Sequence, residues 1–123
     1  MNEMDDMYLQ QVATTMLKQI VNLIGISAFW SWGVSKKSFG IHNGMPTLYL
    51  KVNGFQHKGW VLVSLNEGED LYEIELQNNR GKVLFTRKGV YFDELGAILD
   101  KLIETGEQTA EEYKQQVNQF YGW

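Results

Sequence analysis

Over most of its middle this 123-residue chain alternates apolar and polar side chains with a period of two, and only a pleated β-strand sends alternate residues to opposite faces. Tyr72, Ile74 and Leu76 against Glu73, Glu75 and Gln77 give the cleanest case, a strand with one solvated face. Leu48, Leu50 and Val52 alternate with Thr47, Tyr49 and Lys51, and Val61, Val63 and Leu65 form the inner side of a further strand. Lys37–His42, with Phe39 and Ile41 inward, and Lys82–Arg87 read as two more. Ile26–Val34 also scans as a strand, with Ala28, Trp30, Trp32 and Val34 on one face.

The turns between these runs are written in small and polar residues. Asn43-Gly44 is the most specific, because both central positions of a type I′ hairpin turn need positive φ, which Asn and Gly tolerate. Pro46 lacks a backbone donor, so that end of its strand is expected at a sheet edge. Asn53-Gly54 offers another turn, or a longer loop runs to Lys58-Gly59, while Glu67–Asp70 and Asn78–Gly81 supply the remaining turns.

Helical spacing brackets the alternating region. Leu9, Val12, Ala13, Met16, Leu17, Ile20, Val21 and Ile24 form one stripe, and Gly25 can close the helix in a left-handed conformation. Leu95, Ile98, Leu99, Leu102 and Ile103 define a second amphipathic helix that stops near Gly106. Thr109 and Glu112 then fit a capping box for a short last helix carrying Tyr113, Val117, Phe120 and Tyr121. The expected architecture is α+β: an N-terminal helix, an antiparallel meander of five or six strands, and two C-terminal helices packed on one face of the sheet. Residues 1–123 read as a single domain, with 107–123 a candidate helical tail.

Charge is divided unevenly. From Met7 to Asn66 there is no carboxylate, while Lys18, Lys36, Lys37, Lys51 and Lys58 give that stretch +5 in a chain of net charge −4. Such a stretch supplies no carboxylate acid, base or metal ligand, but it can face an anion. Lys36, Lys37, Lys51 and Lys58, interleaved with Trp30 and Trp32, are therefore the candidate anion or nucleic-acid surface, since bases stack on exposed rings and phosphates attract lysines. In the competing reading the aromatics lie under the helices and the lysines rim the sheet edges, where they discourage edge pairing.

Enzyme signatures are missing. The chain has no cysteine, which excludes disulfides and thiolate chemistry. Glu67, Glu69, Asp70, Glu73 and Glu75 cluster as a hard cation would require, yet Glu73 and Glu75 also fit the solvated face of a strand. His42 and His57 flank turns without a motif partner, no Gly-x-Ser-x-Gly elbow frames a serine, and no glycine loop precedes a helix to cradle phosphate. An enzymatic reading needs a cleft that gathers His42 or His57 with a carboxylate. No catalytic residue, cofactor or metal is expected.

The last residues hold Phe120, Tyr121 and Trp123, expected either to cap the core or to seat a protein partner or a second subunit. No apolar run reaches the roughly 18–20 residues of a membrane helix, and the acidic start (Glu3, Asp5, Asp6) is unlike a secretory signal, so a cytoplasmic location is expected.

The run Ser64–Glu75, followed by Gly89-Val90-Tyr91 and a helix with Leu95, resembles small uncharacterised proteins of bacterial phages and mobile elements. In these a Leu-Asn step leads into an Asp-x-Tyr-x-x-Glu strand, then a Gly-Val-Tyr step into a helix. Their opening helix ends near a short Phe-rich strand, which Ile24–Trp32 would match. The resemblance covers about residues 13–106 and falls on Asp70, Tyr72, Glu75 and Tyr91. It implies an accessory role in such an element and carries no biochemical activity with it. The residues also have architectural readings: Asp70 capping its turn, Tyr72 filling core, and Tyr91 stapling to Leu95.

Overall fold

Asp5 starts the first helix, its carboxylate accepting a hydrogen bond from the Tyr8 amide at 2.8 Å, as an N-cap should. The computed structural model describes residues 4–106 and Gln115. The helix, α1, runs Asp6–Ile24 and buries Leu9, Ala13, Met16 and Ile20, the stripe its spacing predicts. Gly25 ends it with φ 86°, and its amide bonds to the Val21 carbonyl at 2.8 Å.

The next segment departs from expectation. Ile26–Ser31 is a short helix, α2, not a strand. The difference shows in two tryptophans: a strand would put Trp30 and Trp32 on one face, but a helix turns roughly 200° over two residues. Trp30 is accordingly 72% exposed and Trp32 0%. The Phe29 and Trp32 rings, three apart, lie 5.3 Å centroid to centroid. Period-two apolarity in so short a run does not separate helix from strand, and Gly33, with φ 62°, follows the αR residue Trp32 and redirects the chain into the sheet.

Five strands follow: β1 (Lys36–His42), β2 (Met45–Asn53), β3 (Lys58–Asn66), β4 (Leu71–Gln77) and β5 (Val83–Val90). They form one antiparallel meander in the order β1-β2-β3-β4-β5. Asn43 (φ 52°) and Gly44 (φ 76°) make the two-residue turn between β1 and β2. Pro46 pairs only with Ile41 of β1; β2 is an inner strand, but its pairing with β3 begins at Thr47, so this end of the strand lies at a local edge, as its missing donor requires. In β5 the register slips twice, once across Lys88-Gly89, where Gly89 has φ 69°. Those bulges and the flanking Lys82, Arg87 and Lys88 blunt an edge that exposes Val83, Leu84 and Phe85.

One face of the sheet is sealed by helices. Leu48, Leu50, Val52, Val61, Val63, Tyr72, Ile74, Leu76 and Val90 meet Met16, Ile20 and Trp32, together with Leu95, Leu99 and Ile103 from the C-terminal side. Those last residues come from α3 (Leu95–Asp100) and the π-helical turn Lys101–Thr105 that continues it. Gly96 lets α3 approach α1, since a Cβ there would stand 2.7 Å from Ile24 Cγ2. The π turn frees the Ile103 carbonyl, which accepts the amides of Gln56 (2.9 Å) and His57 (3.2 Å) in the β2–β3 loop. The second C-terminal helix expected from Thr109 onward lies outside the described residues. Among those described, no helix is long and apolar enough to cross a membrane.

Candidate functional site

Strand parity decides what the other face carries. Across the sheet, Lys36, Lys51, Trp60 and Gln77 stand in one row; Ser38, Tyr49, Leu62 and Glu75 form the next; Gly40, Thr47, Ser64 and Glu73 form a third. Neither α1 nor α3 packs on this side, because the apolar partners of both alternate with these residues. Leu62 is nonetheless only 1% exposed, covered by its polar and aromatic neighbours.

The polar groups here are held in fixed arrangements. Glu75 is engaged through both oxygens, with the His42 Nε2 at 3.2 Å and the Gln77 amide donating at 2.6 Å. The Thr47 and Ser64 hydroxyls pair at 2.7 Å, and the Asn66 amide donates to Glu73 at 3.2 Å. Tyr49 reaches back to β1, its hydroxyl donating to the Ile41 carbonyl at 3.3 Å. Burial and the negative charge of Glu75 together push the Tyr49 phenol above its ordinary range. Its ring lies over Gly40, where a Cβ would stand 3.4 Å from Cε2.

Between β1 and the β4–β5 turn this face forms an open trough of about 620 Å³, lined by Ser38, Gly40, Tyr49, Trp60, Gln77 and Arg80 among others. That volume is within the range of ligand sites, roughly 300–1,000 Å³. Among the described residues no carboxylate lines it. The Lys51 ammonium stands over the Trp60 ring, 5.8 Å from its centroid. A second cleft, of about 300 Å³, separates α1 from β1 on the sealed side and is lined by both polar residues (Gln10, Thr14, Lys37, Ser38) and apolar ones (Ala13, Leu17, Phe39, Leu48).

The residues proposed from sequence are divided by this geometry. Lys36 and Lys51 are cross-strand partners on the open face. Lys37 points the other way and lines the cleft against α1, and Lys58 donates to the Gly54 carbonyl at 3.0 Å beside its turn. Trp30 and Trp32, being on or next to α2, are not part of the sheet face. Tyr49, Trp60, Gln77 and Arg80 take their place. The signal that finds them is available in the chain: Tyr49 and Trp60 occupy the polar phase of their alternations, and the Asn43-Gly44 hairpin sets the register that aligns them with Lys36 and Lys51. Phe120, Tyr121 and Trp123 lie outside the described residues.

The histidines separate as well. His57 is buried, with Nε2 3.0 Å from the Trp60 carbonyl and its amide on Ile103, so it holds the loop together. His42 does meet a carboxylate, Glu75, beside a small hollow of about 80 Å³ that also includes Ser64. Ser64, however, is hydrogen-bonded to Thr47, so the pair has no nucleophile bonded to it. Among the described residues no group of three His, Cys, Asp or Glu could hold a metal ion.

The architectural roles expected for Asp70, Tyr72 and Tyr91 are met only in part. Tyr72 does fill core. The turn before β4 is capped by Asn66, whose Oδ1 accepts the Glu69 amide at 3.2 Å, while Asp70 takes φ 56°. Tyr91 is exposed and forms no staple with the buried Leu95; its amide is instead accepted by Glu94 at 3.0 Å. No family model, no curated protein and no solved structure matches this chain.

Proposed function

We propose that this chain is a small, non-enzymatic binding module that works through its open sheet face, in a cytoplasmic accessory role of the kind implied by its resemblance to phage and mobile-element proteins. The observation that carries the reading is the trough between β1 and the β4–β5 turn, bordered by aromatic rings and fixed amides on a rigid sheet whose other side is already occupied by helices. Sites mounted on strands hold their geometry better than sites on loops. The His42–Glu75 pair does not favour catalysis, because its neighbouring hydroxyl is committed elsewhere.

A photo-crosslinking side chain placed singly at Ser38 or Gln77, and for comparison at Gln11 or Thr15 on the exposed side of α1, tests the assignment in the native host. Adducts are expected from the two sheet positions and not from the helix. Adducts from the helix positions alone, from all four equally, or from none overturn it.

A further inference from the structure

We infer that the trough binds single-stranded nucleic acid, with bases on Tyr49 and Trp60 and phosphates on Lys36, Lys51 and Arg80; the inference rests on the open face being the binding surface. Three features of the face lead there.

The first is the pose of the rings. Tyr49 reaches Gly40 with Cε2 and its hydroxyl, and that hydroxyl is tied to the β1 backbone, so the ring is held in place where it lines the trough. Trp60 is its diagonal neighbour on the next strand, a separation of roughly 7–8 Å between such positions. Two rings at that interval accept one base each, and stacking of this kind is tolerant of sequence because every base has a π face.

The second is charge. The molecule as a whole carries −4, yet among the described residues the trough is lined by a cation and no carboxylate. Arg80 lines the trough on a turn whose amide is fixed by Asn78 Oδ1 at 2.9 Å, while Lys36 and Lys51 stand outside the lining as cross-strand partners in the row that continues into Trp60. In the free protein Lys51 rests over Trp60 at 5.8 Å, a weak contact at a partly exposed site. An incoming base displaces it, and the ammonium is then free to turn toward the phosphate.

The third is the supply of edge-reading groups. Asn79 and Gln77 line the trough with side-chain amides; Gln77 donates to Glu75 and keeps its carbonyl oxygen for the polar edge of an unpaired base. The site is an open groove across strands, which admits a continuing chain and is too shallow to span a duplex.

Fluorescence anisotropy with labelled oligo-dT and oligo-rU of about 12 nucleotides, in about 50 mM and 200 mM salt, tests the assignment. Binding is expected for single strands over a duplex of the same length, with a log–log salt slope near −2, at about 0.7 per phosphate for three cations. The double change Lys36→Gln with Lys51→Gln should weaken binding about tenfold and flatten the slope by about 1.4. Trp60→Leu should weaken it about tenfold with the slope unchanged, since stacking releases no counterions. Lys37→Gln, on the sealed side, should change neither. Amide NMR spectra of each variant confirm that the fold persists. No binding in low salt, equal loss from Lys37→Gln, or indifference to Trp60→Leu overturns the inference. If open-face crosslinks persist when oligonucleotides fail to bind, only the ligand is rejected and the binding face stands; if both fail, both readings fall.

Discussion

The indole N–H of Trp32 donates to the Asp100 carboxylate at 2.8 Å, joining the end of α2 to α3 beneath the sealed face of the sheet. Trp32 is fully buried, so its ring contributes packing as well as this bond. Trp32→Phe removes the donor, leaves a cavity and strands a partly buried carboxylate; it should cost about 2–3 kcal/mol. Asp100→Asn keeps an acceptor oxygen in place and should cost about 1 kcal/mol or less. Urea unfolding of the two variants decides: equal losses would mean that the charge on Asp100, not the ring or the bond itself, dominates.

Glycines rank by contact, not by conformation. Gly44 has φ 76° with nothing near its missing Cβ, so Gly44→Ala meets only left-handed strain, about 1 kcal/mol. Gly54 lies outside the positive-φ set, yet a Cβ there would stand 2.1 Å from the Ile103 carbonyl oxygen. Gly54→Ala must push the π turn away and break its bonds to Gln56 and His57, at a cost of about 2–3 kcal/mol. Thermal melts should therefore show the larger drop for Gly54→Ala.

How far the chain discloses this structure follows from how local each signal is. The sheet is legible because pleat periodicity and the Asn43-Gly44 turn act over a few residues, and the inner-face residues of β2, β3 and β4 are those the alternation selects. Ile26–Ser31 is misread because Trp30 and Trp32 mimic a strand face, and only the burial of Trp32 against Asp100, 68 residues away, reveals the helix. The same holds for the site. Lys36 and Lys51 are legible as a pair once register is set, whereas Arg80 lines the trough from the β4–β5 turn, outside any strand register, and His57 is fixed by a carbonyl that a π turn exposes. Long-range contacts of this kind leave no periodic trace.

Tyr72 makes stability sensitive to alkali. Burial, helped by the negative charge of Asp70, raises its phenol above the ordinary value near 10, while its hydroxyl donates to Gln19 at 2.6 Å. Above that ordinary value the unfolded chain loses the proton while the folded one keeps it, so stability is full below about pH 10 and falls as pH rises toward the folded pKa. Tyr72→Phe should cost about 1 kcal/mol at neutral pH, from the lost bond, and should make the alkaline decline shallower. Urea midpoints at pH 7 and above pH 10 check it; an unchanged alkaline slope would assign the decline to other groups.

The Thr47 and Ser64 hydroxyls, both buried on the open face, give a directional prediction from proton counting. Thr47 Oγ1 also lies 3.0 Å from the Met45 carbonyl, which accepts its single hydrogen, so Ser64 must be the donor in the 2.7 Å contact between the two hydroxyls. Ser64→Ala leaves Thr47 donating to Met45 and should cost about 1 kcal/mol. Thr47→Val removes the bond to Met45 and leaves the Ser64 hydroxyl buried without its acceptor, so it should cost more, about 2 kcal/mol. The double variant no longer carries that stranded hydroxyl and should be less destabilised than the two single losses added together. A double-mutant cycle in urea measures the difference, and strict additivity would show that the hydroxyls act independently.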